Sequence, residues 1–313
     1  MPQDLELPYI YDETLTGLAI AYRPQGMIAD KILTKVKVDS PDFKYHYYPK
    51  GQFLTVRDTE IGETGEPNED NLKYEKVSSS ASVYSHVTSL PVRYLQAKTS
   101  ETNKEAKRVM LSKDILQLAD EDRLAKLLRN TDNYKGNSKV LTAQNNFSHS
   151  NIEIAKTIED CMDAMYKRPN KVIMSSKTLS KFRTAPQLLA AAHGDGDVKD
   201  GKVSMDFLKK EVFDVEEILV SEAKINTAKR GQAESLSHVW GNDVILLYVN
   251  ENADIDCGLT FGQTAVYEDY STQVYFKPER GSKGVKYYKT GDEHKHFITC
   301  PDCGFIIKNA FTF

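Results

Sequence analysis

The chain has 313 residues, of which 40% are hydrophobic and 27% are charged, and its formal net charge is −4. This length exceeds what one hydrophobic core usually organises, so we expect two domains. No apolar run approaches the roughly 20 residues that cross a bilayer. The N-terminus lacks the apolar region of a secretory signal, so the protein is expected to stay in the cytoplasm where it is made. The weakly acidic balance argues against a protein that reads nucleic-acid sequence.

The first 89 residues predict an arm followed by a long β excursion. Residues 1–42 carry short apolar patches without a sustained period, which indicates an extended arm with one helical turn. Residues 43–89 contain alternating β-type stretches on either side of an acidic, glycine-containing segment at 57–70, the pattern of a two-stranded loop with a polar tip. A hairpin of this size is only marginally stable in water, so it is expected to need a partner surface.

The longest predicted helix spans residues 102–130. Its apolar residues at helical spacing predict the buried face, and they are Leu111, Ile115, Leu118, Ala125 and Leu128. Thr102 or Asn103 is expected to cap its start. At about 1.5 Å per residue, a helix of this span has a length on the order of 40 Å. The acidic triplet at 120–122 also lies on this helix.

Residues 148–266 predict a compact α/β lobe in which helices alternate with short apolar strands. The strands are expected at residues 172–174, 218–220 and 244–249. The last of these is long and apolar enough to lie centrally in a sheet. A capping box at 150–153 predicts the start of the first helix. The single tryptophan, Trp240, is expected to be a core anchor.

The C-terminal part predicts antiparallel strands. From residue 267 onwards, aromatic residues alternate with charged ones, and the pattern closes on residues 304–310. The sequence has four cysteines, which are Cys161, Cys257, Cys300 and Cys303. In a cytosolic chain they are expected to be free thiols and not a disulfide framework.

The strongest candidate for a metal site is the cluster of His294, His296, Cys300 and Cys303. Two histidines and a Cys-x-x-Cys turn offer four ligands for a tetrahedral zinc ion, and alternate residues of a strand face the same side. However, histidines ahead of the cysteines are not a usual zinc-finger spacing, and no second Cys-x-x-Cys exists. We therefore expect a terminal β-turn with solvated histidines and no metal. A redox role is less favoured, because this Cys-x-x-Cys does not start a helix after a strand.

Motifs of catalysis and cofactor binding are absent from the sequence. We find no Gly-x-Ser-x-Gly, no dinucleotide-binding glycine pattern and no phosphate-binding loop. The carboxylates of residues 58–70 lie in a polar stretch that offers nothing to desolvate them, so no acid/base pair with a raised pKa is expected. The sequence therefore predicts neither an enzyme nor a bound cofactor.

A series of short segments runs through most of the chain in a fixed order. It consists of Ala21-Tyr22-Arg23-Pro24, Arg168-Pro169-Asn170, Ile218-Leu219-Val220, Asn226-Thr227-Ala228, Trp240-Gly241, Tyr248-Val249 and Gly304-Phe305-Ile306-Ile307-Lys308-Asn309-Ala310. Each segment alone is weakly specific, and the specificity lies in the ordered series. By this series the chain resembles the major capsid proteins of tailed bacteriophages, which share the HK97-type capsid fold.

The resemblance implies an α+β fold with an N-terminal arm, an extended β-loop, a long spine helix in a peripheral lobe and an α/β axial lobe. The implied boundaries are 1–42 for the arm, 43–89 for the loop, 90–147 with 267–313 for a discontinuous peripheral domain, and 148–266 for the axial domain. In the family the loop lies over a neighbouring subunit, which would supply the partner surface that the hairpin needs.

The resemblance also implies a function. The protein is expected to be the structural subunit of an icosahedral phage or prophage capsid that assembles into pentamers and hexamers around double-stranded DNA. A separate scaffolding protein, a portal and a decoration protein are the expected partners, the DNA is contacted non-specifically, and no membrane is involved. Assembly is expected in the host cytoplasm and the final location is the virion.

Two alternatives stay open. One is an encapsulin-type protein compartment with the same fold, and the other is a metal-binding module or enzyme that uses the C-terminal His/Cys cluster. For the capsid interpretation, the candidate intersubunit contacts lie at the loop tip and are Arg57, Asp58, Glu60, Glu63 and Glu66. An acidic tip without a partner adds no stabilising interaction, so basic residues of a neighbouring subunit are its expected partners.

Overall fold

A computed structural model describes residues 10–47, 75–96, 104–149, 152–193, 201–229, 231–255 and 258–312, together with the single positions 56, 60 and 65. Within these ranges the chain combines helices with two five-stranded sheets. This is the α+β class that the sequence predicts. None of the helices in these ranges is long and apolar enough to span a membrane.

The helices of the described residues are α1 (Glu13–Ala21), α2 (Ala29–Ile32), α3 (Val92–Gln96), α4 (Lys104–Leu128), α5 (Ile154–Asp163), α6 (Ser176–Arg183), α7 (Pro186–His193) and α8 (Met205–Phe207). A π-helical turn at Leu208–Val212 follows α8, and 3-10 turns lie at Thr131–Tyr134 and Pro301–Cys303. The helix predicted at 102–130 is α4, which we call the spine helix. It has 25 residues.

The strands of the described residues are β1 (Ile10–Tyr11), β2 (Thr34–Lys37), β3 (Asp42–Tyr47), β4 (Glu75–Ser80), β5 (Ser82–Pro91), β6 (Ser138–Val140), β7 (Lys171–Ser175), β8 (Glu217–Ser221), β9 (Lys224–Asn226), β10 (Leu236–His238), β11 (Val244–Leu247), β12 (Gly262–Lys277), β13 (Val285–Ile298) and β14 (Gly304–Lys308). The predicted strands at 172–174, 218–220 and 244–249 correspond to β7, β8 and β11.

The first sheet is built on a long antiparallel hairpin of β12 and β13. Its order is β1-β12-β13-β5, and β2 pairs in parallel with β12. The spine helix packs against β5 and β13, while α1 packs against β12. The predicted antiparallel arrangement of the segment after residue 267 is therefore confirmed for β12 and β13.

The second sheet has the order β6-β14-β11-β7-β8, with β11 in the middle as its apolar sequence predicts. Alternate residues along these strands face two different cores. Val172, Val244 and Phe305 belong to a core that α5, α6 and α7 cover. Ile173 and Ile245 belong to a core that the end of the spine helix covers. Both faces are buried, which explains why these strands are continuously apolar.

The closing strand β14 differs from the predicted domain grouping. The prediction placed residues 304–308 in the peripheral domain, but β14 pairs with β11 and β6 in the second sheet. Its apolar run from Phe305 to Ile307 gives the physical reason, because such a run suits a strand covered on both faces and not one with a solvated side. The other predicted domain boundaries stay predictions.

The predicted two-stranded excursion begins as expected. Strands β3 and β4 pair antiparallel from Asp42 with Ser80 to Tyr47 with Glu75. Within the described residues this ribbon has two strands and no third. Most of the segment between the two strands lies outside the described residues.

The N-terminal arm is more helical than the sequence predicts. Asp12 Oδ1 accepts a hydrogen bond from Leu15 N at 2.9 Å and begins the nine-residue helix α1. Leu15 and Ala19 are buried against residues of the spine helix and β13. The prediction of an extended arm was wrong for α1. This helix is apolar on more than one side, so its apolar residues do not recur at the helical spacing by which a helix is recognised in a sequence.

The start of α5 also differs from the prediction. The capping box predicted at 150–153 places Glu153 inside the helix, whereas Glu153 is the residue that precedes it and makes no capping hydrogen bond. Gln187 Oε1 accepts from Ile154 N at 3.1 Å instead. A side chain from α7 thus satisfies a helix-start donor that the local sequence was expected to satisfy.

The spine helix buries part of the predicted face: Ala125 and Leu128 are buried as predicted, and Leu118 is partly buried against the same core. Leu111 and Ile115 are 45% and 41% exposed, whereas Val109, Leu116 and Leu124 are buried. The buried face also carries polar residues, which are Ser112, Lys113, Gln117, Asp120 and Glu121. Apolar periodicity finds the C-terminal part of this face and misses the part that carries these polar residues.

We expect Leu124→Ala to lower the free energy of unfolding by about 2–5 kcal/mol, because it leaves a cavity in a core with no solvent access. The matched control is Leu111→Ala on the same helix, whose side chain is 45% exposed and whose effect should stay within about 0.5 kcal/mol. Urea unfolding of the full-length subunit, followed by circular dichroism, measures both. Equal losses of unfolding free energy for the two variants would contradict the burial of Leu124 and the exposure of Leu111.

Candidate functional site

Glu121 is a fully buried carboxylate on the spine helix. Its Oε2 accepts hydrogen bonds from the backbone N–H groups of Ile28 at 2.9 Å and Ala29 at 2.7 Å. Its Oε1 accepts from Ser221 Oγ at 2.7 Å and from Trp240 Nε1 at 2.6 Å. An ionised carboxylate offers about four lone-pair sites. All of them are used, which compensates the cost of burial.

The four bonds of Glu121 join segments that are far apart in the sequence. The arm contributes the start of α2, strand β8 contributes its last residue, and Trp240 lies between β10 and β11. A backbone bond from Glu222 N to Gly26 O at 2.9 Å runs beside them. Gly26 has a φ of 78°, and a Cβ there would lie 3.1 Å from Glu222 Cβ, so glycine suits this approach.

Asp120, the neighbour of Glu121, forms a second polar cluster with the first sheet. Its Oδ1 lies 2.8 Å from His294 Nε2, 3.0 Å from His296 Nε2 and 3.0 Å from Arg123 NH2. The other ring nitrogen of His294 lies 2.8 Å from Asp292 Oδ2. Asp120 and His294 are 7% and 5% exposed, so these two residues are largely shielded from water.

The carboxyl group of Asp120 and the imidazole of His294 shift each other's pKa. Burial favours the neutral form of Asp120, but the hydrogen bonds from His294 and His296 outweigh it and hold the pKa of Asp120 well below its usual range. Burial likewise opposes the charge on His294, and the hydrogen bonds to Asp120 and Asp292 raise its pKa to about 9. The buried carboxylates thus favour a cation at this place.

Lys113 adds a buried cation to the same helix. Its Nζ lies 3.0 Å from the centroid of the Tyr270 ring and has no hydrogen-bond partner in the described part of the chain. Burial lowers its pKa to about 8, although Asp30 and Asp292 act in the opposite direction. A desolvated cation over an aromatic ring contributes about 2 kcal/mol.

The C-terminal end of the spine helix is tied to the second sheet by a further buried carboxylate. Asp243 is 1% exposed, and its Oδ2 lies 2.7 Å from Arg129 Nε and 3.1 Å from Lys308 Nζ. Its Oδ1 accepts from Asn309 N at 3.0 Å. These contacts fix the closing strand β14 to the residue that follows the spine helix.

The predicted His/Cys cluster forms only in part. His294 and His296 lie on the same side of β13 as predicted, but they lie against Asp120 with side chains only 6% and 10% exposed, so the expectation of solvated histidines is wrong. Cys300 and Cys303 lie at a turn with their Sγ atoms 3.4 Å apart. In the described residues, the group with metal-ligand spacing contains Asp120 and the two histidines and neither of these cysteines.

The prediction of free thiols is confirmed for the three cysteines that the structure describes. Cys161, Cys300 and Cys303 are buried free thiols, and Cys257 lies outside the described residues. The hydrogen bond from Cys303 lowers the pKa of Cys300, and the same bond with burial raises that of Cys303. Trp240, predicted to be a core anchor, is 1% exposed.

The predicted intersubunit contacts lie almost entirely outside the described residues. This holds for Arg57, Asp58, Glu63 and Glu66, whereas Glu60 is described and exposed. Sequence reasoning missed the roles of Asp120 and Glu121. The signal in the sequence was the acidic triplet at 120–122 on an otherwise amphipathic helix. Acidic residues on the buried face of a helix must be paired, so the triplet indicated buried partners for Asp120 and Glu121.

The chain is 32% identical over 307 residues to the major capsid protein of Pseudomonas phage JBD67, and the match covers 97% of this chain and 98% of that protein. The chain belongs to the phage major capsid proteins. No protein-family model matches it. As a capsid protein it is a structural subunit that assembles with further copies of itself, and its place is the virion.

Solved structures show the fold of this capsid protein. A phage-related protein of Bordetella bronchiseptica has a TM-score of 0.74 at 21% identity, over 97% of this chain and 98% of that one. The encapsulin SrpI of Synechococcus elongatus has a TM-score of 0.56 at 11% identity, over 97% and 99%. The capsid of cyanophage P-SCSP1u has a TM-score of 0.55 at 10% identity, over 92% and 89%. The fold is HK97-like, as the sequence predicts.

We expect Glu121→Gln to lower the free energy of unfolding of the capsid subunit by about 3–5 kcal/mol, because an amide turns an N–H₂ group towards two of the four donors. The sequence contains one tryptophan, so its fluorescence emission reports the environment of the Trp240 indole. The emission should change, because the replacement alters the group that accepts from the indole N–H.

The control is Glu153→Gln, whose side chain is 75% exposed, and it should leave both stability and emission unchanged. Urea unfolding followed by tryptophan fluorescence measures both variants. A Glu121→Gln subunit with the midpoint and emission of the wild type would contradict the role of this carboxylate.

Proposed function

We propose that this capsid protein forms the pentamers and hexamers of an icosahedral shell that encloses double-stranded DNA. The observation that carries the proposal is the near-full-length similarity to a phage major capsid protein. The formal net charge of −4 supports a wall that contacts DNA without sequence preference, because strong attraction to phosphates would oppose packing and release.

The extended loop is the part of the subunit that we assign to contact with a neighbour. Its base is a two-stranded ribbon of β3 and β4 without a third strand in the described residues. Phe43 and Tyr45 of β3 pack this base on Phe297 of the same subunit. A two-stranded ribbon alone is marginally stable, so we assign the stabilisation of the rest of the loop to a surface of another subunit. In this proposal Arg57, Asp58, Glu60, Glu63 and Glu66 at the tip meet that surface through charge pairs.

We keep the division into arm, loop, peripheral domain and axial domain as a proposal, with one change. The arm comprises residues 1–42, the loop 43–89, the peripheral domain 90–147 with 267–303, and the axial domain 148–266. The closing strand β14 is assigned to the axial side, because its pairing with β11 supports this.

The remaining partners are proposed from the family role. A separate scaffolding protein guides assembly in the host cytoplasm, a portal occupies one vertex, and a decoration protein binds the outer surface. The protein is not an enzyme in this proposal, since the shell function requires surfaces and no catalytic residue.

The second candidate function is an encapsulin-type compartment, which the shared fold with an encapsulin favours. The contents of the particles separate the two candidates. Particles purified from the producing bacterium should contain nuclease-protected double-stranded DNA if the protein is a capsid subunit. Particles that contain a stoichiometric cargo protein and no DNA would establish the compartment.

We expect the full-length protein, produced together with its scaffolding protein, to form closed shells. Negative-stain electron microscopy gives their shape and light scattering gives their mass. Shells, tubes or rings of five or six subunits support the proposal. A monodisperse monomer or dimer in the presence of the scaffolding protein would contradict it.

We expect charge reversal at the loop tip, Glu60→Lys combined with Glu63→Lys, to prevent particle formation while the subunit stays soluble and folded. The reason is that the tip would repel the basic residues with which it pairs. The matched control is Glu153→Lys, a similar change at an exposed residue before α5. Light scattering with circular dichroism measures assembly and folding. Normal particles from the tip variant would refute the contact.

A further inference from the structure

Asp120, His294 and His296 form a buried cluster that the capsid function leaves without a role. The two histidines occupy alternate positions of β13 and therefore face the same side of the first sheet. The spine helix crosses that side and places Asp120 opposite both rings. The side chains of these three residues are about one tenth exposed or less.

The ligand atoms of these residues converge on one point. Both Nε2 atoms lie within hydrogen-bond distance of a single oxygen, Asp120 Oδ1, at 2.8 and 3.0 Å. The three ligand atoms all lie within 4.8 Å of one another. Ligand atoms bound about 2.1 Å from a common zinc ion are themselves separated by about 2.9–3.4 Å, so the pocket needs only small side-chain adjustments to admit an ion.

The outward-facing nitrogens of both rings are already held. His294 Nδ1 lies 2.8 Å from Asp292 Oδ2, and His296 Nδ1 lies 2.9 Å from Thr264 Oγ1. Asp292 accepts a hydrogen bond from the Nδ1–H of His294, which leaves Nε2 as the ligating atom. A carboxylate, a backbone carbonyl or water behind a ligating histidine is the usual arrangement in metal sites, because it fixes the tautomer and the ring orientation. Asp292 matches this arrangement, and the Thr264 hydroxyl occupies the same position behind His296.

The hydrogen bonds of Asp120 are crowded on one oxygen. Oδ1 faces two imidazoles and the Arg123 guanidinium at 3.0 Å, although a carboxylate oxygen has two lone pairs. One ion bound by both imidazoles takes the place of two separate N–H donors. Arg123 then keeps the second lone pair, and its stacking on Tyr84, with Cζ 3.6 Å from the ring centroid, is unaffected.

We propose that Asp120, His294 and His296 bind a divalent transition-metal ion of the zinc and cobalt class, which links the spine helix to β13. Two imidazole nitrogens and one carboxylate oxygen are the donors that such ions prefer, whereas Mg²⁺ and Ca²⁺ require oxygen ligands. Binding displaces the protons on the inward-facing nitrogens. The ion has a structural role, since it joins two elements of the first sheet region within one subunit.

Cobalt titration of the full-length protein tests the site. The protein is treated with a chelator, dialysed and titrated with CoCl₂ while its visible spectrum and heat of binding are recorded. We expect one Co²⁺ per chain and visible bands without the intense near-ultraviolet band of a thiolate ligand. A thiolate band that disappears in Cys300→Ser/Cys303→Ser would assign the metal to the cysteines and overturn the proposal.

Three variants locate the ion. His296→Gln and Asp120→Asn should each weaken Co²⁺ binding at least tenfold, while His149→Gln, at an exposed histidine away from β13, should bind like the wild type. Tryptophan emission of Trp240 verifies that each variant is folded. ZnCl₂ should also raise the melting temperature of the wild type and not that of His296→Gln. Wild-type protein without stoichiometric Co²⁺ binding, or a His296→Gln variant with unchanged affinity, overturns the proposal.

Discussion

The carboxylate of Glu121 joins the arm, the end of β8 and Trp240 by hydrogen bonds, within a core where these segments also pack. It is fully buried and accepts four hydrogen bonds, from the arm, from the end of β8 and from Trp240. A buried charge is costly unless every lone pair is satisfied, so the arrangement tolerates little variation in where these donors lie. The arm of this capsid protein is therefore positioned by chemistry and not only by packing.

The spine helix makes further polar contacts with distant segments along its length. Asp120 faces the first sheet, Glu121 faces the arm and the second sheet, and Arg129, just beyond the helix, pairs with Asp243 beside β11. Apolar residues near its C-terminal end, such as Leu124 and Leu128, complete one core of the second sheet. One helix thus serves as a wall for both sheets, and the polar contacts specify its rotation about its own axis.

The sequence predicted the elements that depend on local pattern, and missed those that depend on distant partners. Strands β7, β8 and β11 were predictable because burial on both faces leaves a continuous apolar run. The rotation of the spine helix was predictable only in part, because its buried face carries Glu121, whose donors lie 92 to 119 residues away. The burial of His294 was missed for the same reason, since Asp120 is 174 residues distant.

The position of β14 in the second sheet imposes an order on folding. Within the described sheet β6 has β14 as its neighbour, although more than 160 residues separate the two strands in the chain. During synthesis β6 is complete long before β14 exists, and one edge of β11 stays open for the same interval. Contacts of such high sequence separation fold slowly and leave strand edges exposed. Until the closing strand is synthesised, the nascent subunit therefore exposes two strand edges that β14 pairs in the folded protein.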